Sequence, residues 1–165
     1  MKTLLLLRHA KSSWEDPTLQ DFERPLNGRG REAAKRIGRY IKKRRLCPDL
    51  VLSSPARRAK ETVKLVLNAA GMKVDVRYDE RIYEAEPLQL VEVVSQAPAD
   101  KSLVLLVGHN PGMEELLQLL TGHSERMPTA ALAKIKFHIQ EWNMLVTAQG
   151  SLEGLVKPKE LGSED

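Results

Sequence analysis

The chain has 165 residues, 42% hydrophobic and 29% charged, enough to bury one sizeable core and inconsistent with disordered, fibrous or collagen-like classes. Its net charge is only +4, its aromatic content 4%, and it shows no base-reading motif, so nucleic acid is not an expected partner. The single cysteine, Cys47, excludes an internal disulfide and reads as a buried or half-buried thiol.

The apolar run Leu4 to Leu7 is too short for a membrane span, lacks a plausible cleavage site for a signal peptide, and leads straight into Arg8. A cytoplasmic protein without a membrane partner is expected. The run has the pattern of a strand covered on both faces, and it ends at Arg8-His9. Residues 11–26 form a long polar segment with Trp14, Pro17 and Pro25, and loops of that length in compact domains are often functional. Asn27 suits the cap of a helix from about Gly28 to Arg45, whose Ala33, Ala34, Ile37, Tyr40 and Ile41 recur at helical spacing. The basic run Lys42 to Arg45 closes that helix, where cations favour the dipole.

Leu50 to Leu52 reads as a second strand, ending at Ser53-Ser54. Pro55 is placed in the first turn of a helix that runs to Gly71. Val74 to Tyr78 alternates like a strand, and residues 88–96 form a short helix after Pro87. Leu103 to Val107 repeats the buried-strand pattern and leads to His109, with an apolar helix around Met113 to Leu120. Lys134 to Ile139 and Met144 to Ala148 are expected to pair as late antiparallel strands. The alternation of strands and helices predicts one α/β domain over 1–158, a three-layer sandwich with a mostly parallel central sheet. Residues 159–165 are expected to be a frayed tail.

Three predicted strands thus end in chemically conspicuous groups: Arg8-His9, Ser53-Ser54 with Arg57-Arg58 just beyond, and His109. If those strands are parallel neighbours, their carboxyl ends share one crevice. Two imidazoles, guanidiniums and helix N-termini there would surround a tetrahedral anion such as a phosphoryl group. Singly, each residue has a plainer reading: Arg8 as an ion-pair partner, His109 as an ordinary strand-end residue, Arg57 and Arg58 as solvated side chains. Cations in the first turn of a helix are electrostatically misplaced, however, and an anionic ligand would relieve them.

Together, Arg8-His9, the string Ser54-Pro55-Ala56-Arg57-Arg58-Ala59-Lys60-Glu61-Thr62 and His109 resemble the marks of the histidine phosphatase superfamily, whose fold is that of phosphoglycerate mutases. Arg8-His9-Ala10-Lys11-Ser12, Arg24-Pro25-Leu26-Asn27, Arg81-Ile82-Tyr83-Glu84-Ala85 and Gly108-His109-Asn110-Pro111-Gly112 most resemble its SixA group of phosphohistidine phosphatases. The resemblance implies His9 as a nucleophile that becomes a transient phosphohistidine, with Arg8, Arg58 and His109 around the phosphoryl oxygens. It implies Glu84 as the acid for the leaving group, with Asp21 a distant alternative. Asn110 stands where an acid-phosphatase branch places Asp, which argues against that branch. No metal or other cofactor is implied.

The substrate implied is phosphohistidine in a protein, such as a histidine phosphotransfer domain. The short span between Glu84 and His109 leaves little room for a lid, which suits a protein-borne group. A small-molecule phosphomonoesterase with the same His9 chemistry is the alternative, a mutase the third reading. A non-catalytic phosphate-binding module is disfavoured by the complete set of Arg8, His9, Arg58 and His109.

Overall fold

The computed structural model describes residues 1–162. In chain order its elements are β1 (Lys2–Arg8), α1 (Gly28–Lys43), β2 (Leu50–Ser53), α2 (Arg57–Ala70), β3 (Asp75–Tyr78), α3 (Pro87–Ser95), β4 (Leu103–Gly108), α4 (Gly112–Thr121), β5 (Leu132–Phe137) and β6 (Ser151–Val156). The strands form one sheet in the order β3-β2-β4-β1-β5-β6. The pairs β3–β2, β2–β4 and β4–β1 are parallel, whereas β5 runs antiparallel to both β1 and β6.

The leucine run explains the three layers. Leu4 to Leu7 are all fully buried, and alternate residues face opposite sides of the sheet. Leu4 and Leu6 belong to the core that holds α3, α4 and Trp142, while Leu5 and Leu7 belong to the core that holds α1 and α2. Each such side chain contributes about 1.5–3 kcal/mol of transfer free energy. The chain is thus the α/β sandwich with a mostly parallel sheet that the alternation of elements predicts. No helix among the described residues is long and apolar enough to cross a membrane.

This topology fixes where a site can form. β2, β4 and β1 are adjacent, with Arg8 beside Gly108 and Ser53 beside Val107, so their carboxyl ends open together. The chain leaves β1 for a helix on one face and β4 for a helix on the other, which places a crevice between those two strand ends. Two glycines permit close approaches to it. A Cβ at Gly30 would lie 2.1 Å from the Lys11 carbonyl oxygen, and one at Gly112 would lie 2.6 Å from that of Ala85.

The structure corrects several local expectations. Met144 to Ala148 is not a strand: residues Trp142–Thr147 form a 3-10 helix. Trp142 and Leu145, three residues apart, are both buried, and the Trp142 indole N–H donates to the Lys101 carbonyl at 2.7 Å. Met144 and Val146, which a strand would have placed on one face, are exposed. The partner of β5 is instead β6, with an irregularity between Lys134 and Ile135. Pro55 precedes the cap residue Ala56 rather than lying in the first turn of α2. Cys47 is exposed, because it sits in the connection after α1. At the far end Pro158–Glu160 form a 3-10 turn and Leu161 packs on the α1–α2 core; residues 163–165 of the expected tail lie outside the described residues.

Candidate active site

His9 directly follows β1, and its backbone N–H donates to the Gly108 carbonyl at 3.0 Å, so β4 fixes its height above the sheet. The next residue, Ala10, donates its N–H to the Thr62 hydroxyl of α2 at 3.0 Å. The His9 ring is nearly buried. Its Nδ1 lies 2.7 Å from the Ala10 carbonyl, which can only accept, so Nδ1 carries the proton and Nε2 keeps its lone pair. Burial, reinforced by the charges of Arg58, Arg8 and Arg24 and opposed by the Ala10 bond, lowers the His9 pKa from 6.5 to about 4. The ring is therefore neutral and nucleophilic at neutral pH.

β2 supplies the second wall. The Ser54 hydroxyl accepts the Ala56 N–H at 3.2 Å at the entry to α2. The first turn of α2 contains no acid, and its two arginines part company. Arg57 lies on the solvent side, 3.6 Å from Glu61. Arg58 is buried and reaches both imidazoles: its Nε lies 3.4 Å from His9 Nε2 and one terminal nitrogen 3.4 Å from His109 Nδ1. These separations are long for hydrogen bonds.

β4 delivers His109, whose ring centroid stands 4.9 Å from that of His9. Since Arg58 can only donate, His109 Nδ1 accepts and Nε2 carries the proton, which it donates to the Ser54 hydroxyl at 2.7 Å. Burial, with His9, Arg58 and Arg8, lowers the His109 pKa to about 3 against a small opposing effect of Asp21. Arg8 completes the group from β1. One of its terminal nitrogens donates to the Met127 carbonyl at 3.1 Å, to which the Asn110 amide also donates at 2.9 Å. Arg8 Nε and Asn110 Oδ1 are buried without a hydrogen-bond partner among the described residues. Arg8, His9, Arg58 and His109 are thus brought together as the sequence suggested.

Asp21 holds a place that spacing alone did not show. One carboxylate oxygen accepts from Arg58 at 2.9 Å and from the Tyr83 hydroxyl at 2.6 Å, and the other accepts from Arg24 at 3.1 Å. Burial opposes its ionisation, but the bonds from Tyr83, Arg58 and Arg24 prevail and hold its pKa at about 2. Asp21 therefore has no proton to give near neutral pH, which removes it as an alternative acid. It holds Arg58 and Arg24 in place instead. Tyr83 is pushed up to about 12, by burial and by the same carboxylate, and remains a phenol. The nearest sequence signal was Arg24, three residues beyond Asp21, but their ion pair needed the fold to point it at Arg58.

Glu84 is exposed and has no side-chain hydrogen-bond partner among the described residues. Its φ of 53° is an uncommon, left-handed conformation for a glutamate. It lines a cavity of about 450 Å³ with Asp21, Glu86, Glu115, Arg58 and His109. A second cavity, of about 320 Å³, surrounds His9 and is walled by Arg8, Lys11, Trp14 and Arg24, with Arg58, His109 and Asn110 common to both. Exposed Trp14 stacks on the buried Arg24, whose guanidinium carbon is 3.5 Å from the ring centroid. No cluster of three His, Cys, Asp or Glu among the described residues could hold a metal ion.

This arrangement can receive a tetrahedral anion among two guanidiniums, with a neutral imidazole nitrogen aimed at it. An NMR titration of the His9 ring checks the electrostatics: the midpoint is expected near pH 4, against 6.5 for an unperturbed imidazole. A midpoint at or above 6 would contradict the neutral nucleophile. Below pH 6.5 the unfolded chain binds more protons at His9 and His109 than the fold does. Their contribution to stability is thus at its full value above 6.5 and declines as pH falls toward about 4 for His9 and about 3 for His109.

The family model of the histidine phosphatase superfamily (branch 1) matches residues 4–90. An uncharacterized chloroplastic protein of Arabidopsis thaliana is 32% identical over 171 residues, covering 95% of this chain and 78% of that protein. A 2,3-bisphosphoglycerate-dependent phosphoglycerate mutase of Bifidobacterium longum is 36% identical over 89 residues, which cover half of this chain and 36% of the mutase. Among solved structures, one provisionally named phosphohistidine phosphatase SixA, from Agrobacterium tumefaciens, aligns at 30% identity and a TM-score of 0.82, covering 95% of this chain and 98% of that one. The protein histidine phosphatase SixA complexed with tungstate shares the fold, with a TM-score of 0.79 at 18% identity over 96% of this chain and 98% of that one. The chain belongs to the histidine phosphatase superfamily, branch 1, and is a phosphatase.

Proposed function

We propose that the protein removes the phosphoryl group from phosphohistidine in a protein substrate, with a histidine phosphotransfer domain as the partner type. The observation that carries the chemistry is the neutral His9 ring, its Nδ1 proton tied to Ala10 and its Nε2 facing Arg58. His9 Nε2 attacks phosphorus, and the P–N bond to the substrate imidazole breaks, with that imidazole taking up a proton from solvent water. Water then attacks phosphorus on His9, inorganic phosphate leaves, and the ring is restored. Arg8 and Arg58 balance the charge on the phosphoryl oxygens through both displacements, and the neutral His109 ring stands beside them as a wall of the pocket.

The carboxylates support phosphohistidine as the substrate. Asp21 is locked in its ionised form, and exposed Glu84 makes no hydrogen bond among the described residues that would aim it at a leaving group. A site with so little acid assistance best serves a leaving group that needs little, and an imidazole is expelled more easily than an alkoxide. The provisional name of the Agrobacterium relative points the same way.

The small-molecule phosphomonoesterase reading is favoured by one observation, that Glu84 shares a cavity with Arg58 and His109. A panel of phosphohistidine and small phosphoesters, run on wild type and Glu84→Gln, separates the two. The expected result is efficient release from phosphohistidine that changes less than about threefold in Glu84→Gln, while any phosphoester hydrolysis falls by about 10²-fold. Rapid turnover of phosphoesters with little on phosphohistidine would overturn the proposal.

A further inference from the structure

A third cavity adjoins the His9 pocket on the side away from Glu84. It measures about 240 Å³ and is lined by Lys11, Arg29, Lys157 and Lys159 over a floor that includes Ala33 and the prolines 128 and 158. It shares Lys11 and Thr129 with the pocket around His9. We propose that this basic cleft binds an acidic segment of the phosphorylated protein substrate, next to the phosphohistidine under attack. The inference rests on the protein-phosphohistidine reading above and extends it to the polarity of the partner.

Two independent features supply the charge. None of the four cations has a carboxylate within ion-pair distance among the described residues, although seven other ion pairs are found there. The nearby Glu160 accepts the Lys157 backbone N–H at 3.1 Å through one carboxylate oxygen and forms no ion pair with the four cations. The first turn of α1, where Arg29 sits, contains no acidic residue, so the positive end of the helix dipole adds to the field instead of being neutralised. Four cations gathered around the cleft, with Arg29 on the positive end of α1, are unfavourable without an anion.

The floor of the cleft separates a peptide from a bare phosphate. A phosphate site presents backbone N–H groups or buried arginines, as the His9 pocket presents Arg58. Here the two prolines have no N–H to offer, and the cations stand at the rim with Lys11, Arg29 and Lys159 exposed. An apolar floor under a charged rim fits the aliphatic stems and carboxylates of aspartate and glutamate. The opposite end of the site, with Glu84, Glu86 and Glu115, would repel the same segment. The acidic stretch is thereby restricted to one side of the phosphohistidine.

The test compares wild type with Arg29→Glu/Lys159→Glu on free phosphohistidine and on two phosphohistidine peptides, flanked by glutamates or by glutamines. The expected result is a kcat/KM about tenfold higher for the glutamate-flanked peptide in wild type, lost in the variant and weakened by salt, with free phosphohistidine unaffected. Binding of a fluorescent, unphosphorylated glutamate peptide reads the cleft without catalysis, and it too should be lost in the variant. Equal handling of the two peptides by wild type, or an unchanged preference in the variant, overturns the cleft. So does a preference for small bisphosphates over monophosphates that the same substitutions erase. Acidic-peptide binding without any release from phosphohistidine would leave the cleft standing and sink the proposed function alone.

Discussion

Replacing His9 by Ala is expected to lower kcat/KM by at least about 10⁴-fold, or roughly 5.4 kcal/mol of transition-state stabilisation. The size follows from the role: without the His9 imidazole the phosphoryl group loses its carrier between the two displacements, because the other ring, His109, has Nε2 on Ser54 and Nδ1 against Arg58. The ring is nearly buried, so its loss also leaves a void, and circular dichroism and a melting curve must show that the variant folds. The positive counterpart is an acid-labile phosphoryl label on wild type, trapped by rapid quenching with a ³²P donor and absent from His9→Ala. A folded His9→Ala enzyme within tenfold of wild type would refute the nucleophile.

Arg58→Ala is expected to cost about 10²–10³-fold in kcat/KM, the scale of losing one charged donor to a developing oxyanion. Arg58→Lys should recover little of it. A single ammonium cannot hold the Asp21 carbonyl at 2.7 Å and its carboxylate at 2.9 Å while also facing two ring nitrogens. The substitution has a second signature. Arg58 is one of the charges that lower the His9 pKa, so its removal should raise the NMR midpoint of His9 above 4, toward 6.5. Loss of activity without that movement would assign Arg58 to phosphate binding alone. A kcat/KM within threefold of wild type would remove it from the site.

What could be read in the sequence was whatever a strand or helix repeats locally. Four leucines in a row allow both faces to be buried, so the alternation of Leu4 and Leu6 with Leu5 and Leu7 between two cores follows from the run itself. The strand-end groups were legible for the same reason: Arg8-His9 and His109 each terminate an unbroken apolar stretch. Asp21 was not, because its importance comes from Arg58, 37 positions away, and from Tyr83, 62 away. Neither contact leaves a local trace in an irregular loop. A strand is expected at Met144 to Ala148, where the chain instead forms a 3-10 helix over Trp142–Thr147, because short apolar runs do not distinguish a strand from a helical turn. The Trp142 bond to Lys101 decided it. The parting of Arg57 from Arg58 lay equally beyond the sequence, since adjacent helix positions point about 100° apart.

The placement of His9 at the end of an interior strand has an evolutionary consequence. β1 has a strand on either side and a core on each face, so the nucleophile moves only if the whole domain comes apart. Trp14, Arg29, Lys157 and Glu84, by contrast, sit on loops, a helix end and a chain-terminal turn that bury little. Exchanging them costs the fold little stability. Such a scaffold can acquire new clients by drift at its rim while its reaction stays unchanged.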